Sequence, residues 1–257
     1  MNIEKDFGTY RSVLQHPGIR SWKRLCGMLD RCEGRWEAPF VRDVLVPYVK
    51  GALHAWPEDL RRYALHSWVE RAMDGKEMMQ LTFANAIHLV GHVLDPDDRR
   101  RAERLERLFG SRHLDNLRHV ELDSKPIDEG TLVHLVGSPY VRELRALDIA
   151  RTRLTPLALE LMVQAESLAQ LEVFDISGTA LRNRGASVIA QHTMLGNMRE
   201  LRMKHMQLTD RAVHTILTQW SLPKLEVLEL GGNKFSDVAK HTLRTSPLGT
   251  RLHRLEV

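Results

Sequence analysis

The sequence predicts an α/β solenoid, with a parallel sheet on its concave side, helices on its convex side and a helical cap in front. Three observations support this fold class. An apolar phrase recurs every 27 residues, the apolar spacing changes within each copy, and the first part of the chain contains no copy. The chain has 257 residues, of which 43% are hydrophobic and 27% charged, which is typical of a folded protein rather than a disordered one.

The helical cap is predicted for residues 1–83. The stretch "IRSWKRLCGMLDRC" has the apolar spacing of one helical face, formed by Ile19, Trp22, Leu25, Cys26 and Leu29. A cap is expected here because the leading edge of a solenoid exposes both apolar surface and unpaired strand groups.

A second cap helix is predicted in "PEDLRRYALHSWVERAM". Pro57 suits a first helical turn, and the apolar positions have helical spacing. Those positions are Leu60, Ala64, Trp68 and Ala72 or Met73. Tryptophan is concentrated in this part of the chain, at Trp22, Trp36, Trp56 and Trp68.

The two cysteines, Cys26 and Cys32, are six residues apart in what the pattern predicts to be one helix. That spacing is too wide for a disulfide, so both are expected to be reduced thiols. Cys26 lies on the apolar face, which favours a core residue over a nucleophile.

From residue 114 onward, four apolar columns stay in phase at a spacing of 27 residues, without insertions. The first column is Leu117, Leu144, Leu171, Met198, Leu225 and Leu252. The second is Val120, Leu147, Phe174, Leu201, Leu228 and Leu255. The third is Leu122, Ile149, Ile176, Met203, Leu230 and Val257, and the fourth is Ile127, Leu154, Leu181, Leu208 and Phe235.

Each copy is predicted to form a strand, a turn and a helix. L-x-x-L-x-L ends in alternating residues, which favours a short strand with one buried face. Thr155, Thr209 and Ser236 precede helical spacing, where an N-cap hydroxyl accepts from free backbone N–H groups. Such units bury their apolar sides only when they stack.

These phrases resemble leucine-rich repeat proteins of the ribonuclease-inhibitor-like class, most closely in "LTDRAVHTIL" and "LPKLEVLELGGNKFSD". The resemblance covers roughly residues 84–257 and implies a recognition scaffold without catalysis or cofactor. "HAWPEDLRRYALHSWV" is similar to the N-terminal regions of bacterial, myxobacterial-type proteins with such repeats.

One departure from that family concerns the turn position that usually carries Asn. Here the residues are Lys125, Thr152, Thr179, Met206 and, once, Asn233. Looser or hydrated turns are therefore expected.

A degenerate copy is predicted in residues 84–113, which places the repeat region at 84–257. Ala84, Ile87 and Leu89 fit the strand template, with His92 at the Asn position. The next copy begins 33 residues later.

On the concave face, outward residues at the same strand position of successive copies are expected to form columns. Neighbours within a column are about 4.8 Å apart. The central column combines carboxylates with one arginine: Glu121, Asp148, Asp175, Arg202, Glu229 and Glu256. Beside it, Arg118, Arg145 and Arg199 alternate with Glu172 and Glu226.

Like charges at strand spacing repel one another, so this acidic column needs neutralising charge. A basic protein or peptide bound on the concave face is one source, which gives a protein-binding site at these positions. Internal salt bridges with neighbouring arginines are the alternative.

Two other functions remain open. The last strand, in "LHRLEV", has no predicted cover, so it is a candidate edge for self-assembly or homo-oligomer formation. His88 and His92 are spaced as a metal-binding pair on a helix, but the Glu of an H-E-x-x-H motif is missing and a strand separates the two side chains. No catalytic residue and no metal site is therefore predicted.

The net charge of +4 is small and spread along the chain, so no nucleic-acid partner is expected. The sequence shows no apolar run of signal-peptide or membrane-spanning length, and a cytoplasmic protein without a membrane partner is expected.

Overall fold

The computed structural model describes residues 3–57, 59–89, 100–122, 129–192 and 195–257. Its strands form one parallel sheet of seven, in the order β1 to β7 along the chain. The strands are β1 Ala86–His88, β2 His119–Glu121, β3 Ala146–Asp148, β4 Val173–Asp175, β5 Glu200–Arg202, β6 Val227–Glu229 and β7 Arg254–Glu256.

A helix follows each of the first six strands. These helices are α5 Arg101–Phe109, α6 Glu129–Val136, α7 Pro156–Val163, α8 Arg182–Gln191, α9 Asp210–Gln219 and α10 Asp237–Thr245, with a further short helix, α11 Pro247–Arg251, before β7. The fold is thus the predicted α/β solenoid of the leucine-rich repeat type.

The sheet register follows the 27-residue repeat. Leu147 pairs with Phe174, which is next to Leu201, and all three side chains are buried. The middle residue of each of these strands therefore points into the core, while its two neighbours face the concave surface.

The degenerate copy forms a strand at the predicted position. In β1, Ile87 pairs with Val120 of β2, and Ile87 and Leu89 are buried. His92 lies outside the described residues.

The described residues before β1, the cap predicted from the sequence, are mainly helical and share one continuous core with the repeats. The helices are α1 Phe7–Leu14, α2 Ile19–Asp30, α3 Val46–His54, which continues a π-helical turn at Val41–Leu45, and α4 His66–Met73, followed by a 3₁₀ turn at Met79–Phe83.

The segment between α3 and α4 runs along the free edge of β1. The Ala64 amide donates to the Ala86 carbonyl at 2.9 Å, and the Ala86 amide donates to the Arg62 carbonyl at 3.3 Å. Tyr63 and Ala86 form a parallel bridge. The cap thus satisfies backbone groups that an edge strand leaves unpaired.

This pairing overturns the helix predicted to start at Pro57, because α4 begins only at His66. Residues 61–65 form no helix, and the backbone of Arg62 and Ala64 bonds to β1 instead. Two smaller predictions for α2 were also wrong. Ile19, at its first turn, is 60% exposed, and Cys32 lies beyond the end of the helix at Asp30.

Two of the three predicted N-caps are confirmed. The hydroxyls of Thr155 and Ser236 accept from the amides of Ala158 and Ala239. Thr209 makes no such bond. Its hydroxyl accepts instead from the side-chain amide of Asn183 at 2.8 Å, and Asn183 Oδ1 accepts from the Thr209 backbone N–H at 2.9 Å.

The turns after β3, β4 and β6 are fixed by side-chain hydrogen bonds, although only one of them has the asparagine. The Thr152 and Thr179 hydroxyls each donate to the carbonyl three residues earlier at 2.7 Å. Asn233 makes four bonds at its turn, donating to the Met203 and Leu230 carbonyls and accepting from the Met206 and Leu208 amides. Lys125 lies outside the described residues.

At the other end of the sheet, β7 pairs with β6 along one side. Among the described residues, no helix has both the length and the apolar character needed to cross a bilayer.

Candidate functional site

The sheet brings the predicted central column together on its concave face. Strand pairing sets its members side by side, from β1 to β7: His88, Glu121, Asp148, Asp175, Arg202, Glu229 and Glu256. We refer to these seven positions as the central column.

The neighbouring row, just before the strands, alternates in charge. Arg145 lies 3.5 Å from Glu172, while Arg199 lies 3.9 Å from Glu172 and 2.5 Å from Glu226. Arg118, at the start of this row, forms an ion pair with Glu143.

Arg202 links the middle of the central column to its neighbours. Its guanidinium lies 2.6 Å from Glu200 and 3.7 Å from both Asp175 and Glu229. The single arginine of the column thus neutralises carboxylates on both sides.

Two further cations complete this network, and the pattern of the central column alone did not predict them. Lys204 lies 2.9 Å from Glu229 and from Glu256. Arg254 lies 2.5 Å from Glu229 and 3.3 Å from Glu200. Internal ion pairs therefore hold the side chains at this end of the face in fixed positions.

Glu229 is the most enclosed carboxylate of the network, with 7% of its surface exposed. Burial alone raises the pKa of Glu229. The hydrogen bond from Lys204 and the charges of Lys204, Arg254 and Arg202 outweigh it, so this pKa lies below its ordinary value.

At the other end of the face, the cap reaches onto the column. Glu121 Oε1 accepts hydrogen bonds from Arg61 and from the Tyr63 hydroxyl, both at 2.5 Å. Next along the column, Asp148 Oδ1 accepts from the Ala150 amide and Asp175 Oδ1 from the Ser177 amide, each at 2.9 Å. These two aspartates therefore also fix the turns that follow their strands.

A cavity of about 740 Å³ lies between the cap and the first strands of the sheet. The described residues lining it carry more positive than negative charge, with five cationic side chains against four carboxylates. The cations are Lys50, Arg61, Arg62, Arg118 and Arg145, and the carboxylates are Asp59, Asp115, Glu143 and Glu172.

Arg62 is the most buried of these cations, with 6% of its surface exposed. Its Nε donates to the Phe83 carbonyl at 3.3 Å. Burial and the nearby charge of Arg118 lower the pKa of Arg62 to about 10.

His119, on β2, also lines the cavity. Its Nδ1 is buried and has no hydrogen-bond partner. Burial and the charges of Arg61, Arg118 and Arg145 lower the pKa of His119 to about 4, against an opposing contribution from Glu121. The imidazole is therefore neutral at physiological pH.

This cavity was not predicted from the sequence, because "EDLRRYAL" has the apolar spacing of a helix. The two adjacent arginines in that stretch were the only feature of the sequence that indicated a charged cavity.

The thiol of Cys26 lies in the core. Burial raises the pKa of Cys26 to about 12, which keeps its thiol protonated. In the described part of the chain, no three His, Cys, Asp or Glu side chains come together as ligands for a metal ion.

No protein-family model and no curated protein matches the chain. The crystal structure of an internalin from Listeria monocytogenes is similar, with 15% sequence identity and a TM-score of 0.35. The match covers 68% of this chain and 62% of that one, so the chain spans less than two thirds of that structure. The assignment to the leucine-rich repeat fold therefore rests on the repeat and the seven-stranded sheet themselves.

Proposed function

We propose that this protein is a non-catalytic scaffold that binds a protein partner on the concave face of its sheet. One observation carries the proposal. Charged side chains of successive repeats stand in register along the central column, on strands that share one core. A rigid array of outward side chains is suited to recognition, because these residues vary without disturbing the core.

The partner that this face fits best is a basic peptide or protein surface. Five of the six positions from β2 to β7 in the central column are carboxylates. Internal ion pairs do not use all the hydrogen-bond acceptor positions of these carboxylates. Glu121 uses one oxygen, Oε1, for both of its bonds, and a carboxylate accepts at about four lone-pair positions. Exposed ion pairs contribute little stability, so a partner's Lys or Arg can share them at small cost.

In our proposal, residues 1–83 act as a cap that stabilises the first strand of the repeats. Their extended segment hydrogen-bonds to β1, and their apolar side chains join the core of the repeats. Both cysteines are free thiols, as is usual in reducing compartments, and we propose that the interaction takes place in the cytoplasm.

The test removes charge from the column while keeping its structure. Asp148→Asn and Asp175→Asn retain the oxygens that accept from the turn amides, and Glu121→Gln keeps an acceptor for Arg61 and Tyr63. The matched control removes three carboxylates from helices instead, as Glu103→Gln, Glu106→Gln and Glu160→Gln.

Wild type and both triple variants are used to capture proteins from native lysate, and binding of each purified candidate is then measured by calorimetry. We expect the concave-face variant to lose a partner that wild type and control retain. Equal binding by all three proteins would show that the central column is not the site.

A further inference from the structure

Arg62 is held in place as a buried cation on the wall of the cavity. Its backbone amide donates to Asn85 Oδ1 at 2.6 Å, and its carbonyl accepts from the Asn85 and Ala86 amides. The bond from Nε to the Phe83 carbonyl fixes the guanidinium. Within the described residues, neither terminal nitrogen of this guanidinium forms a hydrogen bond or an ion pair.

The described side chain whose charge acts on Arg62 is also positive. Arg118, a second guanidinium, acts on it with the same sign. His119, nearby on the cavity wall, is held neutral partly by Arg61, Arg118 and Arg145. A buried charge without a counter-charge is costly, and a bound anion would remove that cost.

The other lining residues suit a small molecule better than an inorganic ion alone. A volume of about 740 Å³ is in the range of small-molecule sites. Apolar groups of Leu53, Trp56, Phe83 and Val173 line the cavity together with the cations.

We propose that this cavity binds a small organic anion, whose phosphate or carboxylate group is held by the terminal nitrogens of Arg62. The planar fork of a guanidinium matches two oxygens of either group, and such bidentate pairs are among the strongest hydrogen bonds in proteins. No residue of the central column lines the cavity, although Arg118 and Arg145 of the neighbouring row do, so the anion would add a ligand beside the proposed partner-binding face.

A purely structural role for Arg62 and a role as an anion anchor predict different effects when the side chain is replaced. If the side chain serves only to hold the Phe83 carbonyl, its replacement destabilises the fold and has no effect on anions. If it is an anion anchor, Arg62→Gln keeps a donor for that carbonyl, removes the unpaired charge, and leaves the unliganded protein at least as stable as wild type.

The experiment titrates the full chain by calorimetry at constant ionic strength with pyrophosphate, glycerol 3-phosphate and succinate, which separates phosphate from carboxylate recognition. Arg211→Gln is the control, since it removes an exposed arginine from α9. Arg62→Lys keeps the charge but loses the fork. Thermal unfolding of each variant without ligand checks the fold.

We expect saturable binding of at least one probe at millimolar concentration or below. Binding should weaken by roughly tenfold or more in Arg62→Gln, by less in Arg62→Lys, and not at all in Arg211→Gln. The proposal is overturned if no probe binds wild type, if Arg62→Gln binds as wild type does, or if Arg211→Gln loses binding equally, which would indicate general charge attraction.

Discussion

The ring of His205 lies so close to the α-carbon of Gly232, one repeat further on, that a Cβ atom at Gly232 would be 2.2 Å from its Cε1 and Nδ1 atoms. Both residues occupy the same turn position of the repeat, and both have positive φ, 52° at His205 and 72° at Gly232. The position recurs at Arg151 and Gly178, also with positive φ. The turn thus requires left-handed backbone at intervals of 27 residues, and glycine meets that requirement without strain.

Replacing Gly232 by alanine is therefore expected to destabilise the protein. The strain of a Cβ in left-handed backbone is roughly 1–2 kcal/mol, and the His205 ring must also move. Urea unfolding measures the change. Gly27→Ala in α2 is the control, because an added Cβ there meets nothing within 4 Å and should raise the free energy of unfolding by roughly 0.5–1 kcal/mol. Changes of the same sign in the two variants would contradict this explanation.

Asn233 should contribute more stability than the threonines at the equivalent position. Asn233→Ala leaves two amides and two carbonyls of the turn without their partner, and we expect a loss of roughly 2–4 kcal/mol. Thr179→Val removes a single bond, to the Ile176 carbonyl, and should cost roughly 1 kcal/mol. Both losses are read from urea unfolding at neutral pH. Equal losses would mean that water replaces the asparagine side chain.

The repeat could be predicted in detail from the sequence because its physical requirement is periodic. Leu147, Phe174 and Leu201 must enter the same core at the same phase, so a fixed spacing in the chain fixes the strand register. Even the degenerate copy could be predicted, since Ile87 and Leu89 had to bury one face of a strand.

Bonds between particular pairs could not be predicted in this way. Thr209 is a good N-cap residue, but Asn183 lies 26 positions away and no pattern identifies it as the partner of the Thr209 hydroxyl. Likewise, the helical spacing of Leu60, Ala64 and Trp68 concealed an extended segment, because the unpaired edge of β1 competes for its backbone. The cavity depends on that same segment, and its position follows only from how the cap docks.

Glu229 provides a test of the ion-pair network. Its pKa is below the ordinary value of 4.5, so its stabilising effect is present above pH 4.5 and is lost as the pH falls through the folded-state pKa. We expect Glu229→Gln to cost roughly 2 kcal/mol at neutral pH, and this difference from wild type to shrink as the pH falls below 4.5.

The matched control for Glu229 is Glu226→Gln, on the neighbouring row. Glu226 pairs with Arg199, and both side chains are exposed, so its loss should cost less than about 1 kcal/mol. Urea unfolding of both variants at two pH values makes the comparison. A larger effect at Glu226 would indicate that burial does not determine the strength of these pairs.

His119 should make the stability of the protein fall at mildly acidic pH. Its pKa is 6.5 in the unfolded chain and about 4 in the folded protein, mainly because of burial and then because of Arg61. Between these two values the unfolded chain binds a proton that the folded protein does not, so stability decreases as the pH falls through this window.

His119→Gln removes the proton-binding group from both states. Urea unfolding from pH 7 to pH 4 should therefore show the variant gaining stability relative to wild type below about pH 6.5. Parallel curves for the two proteins across this range would show that the imidazole titrates alike in the folded protein and in the unfolded chain, and that burial and the surrounding arginines do not lower its pKa.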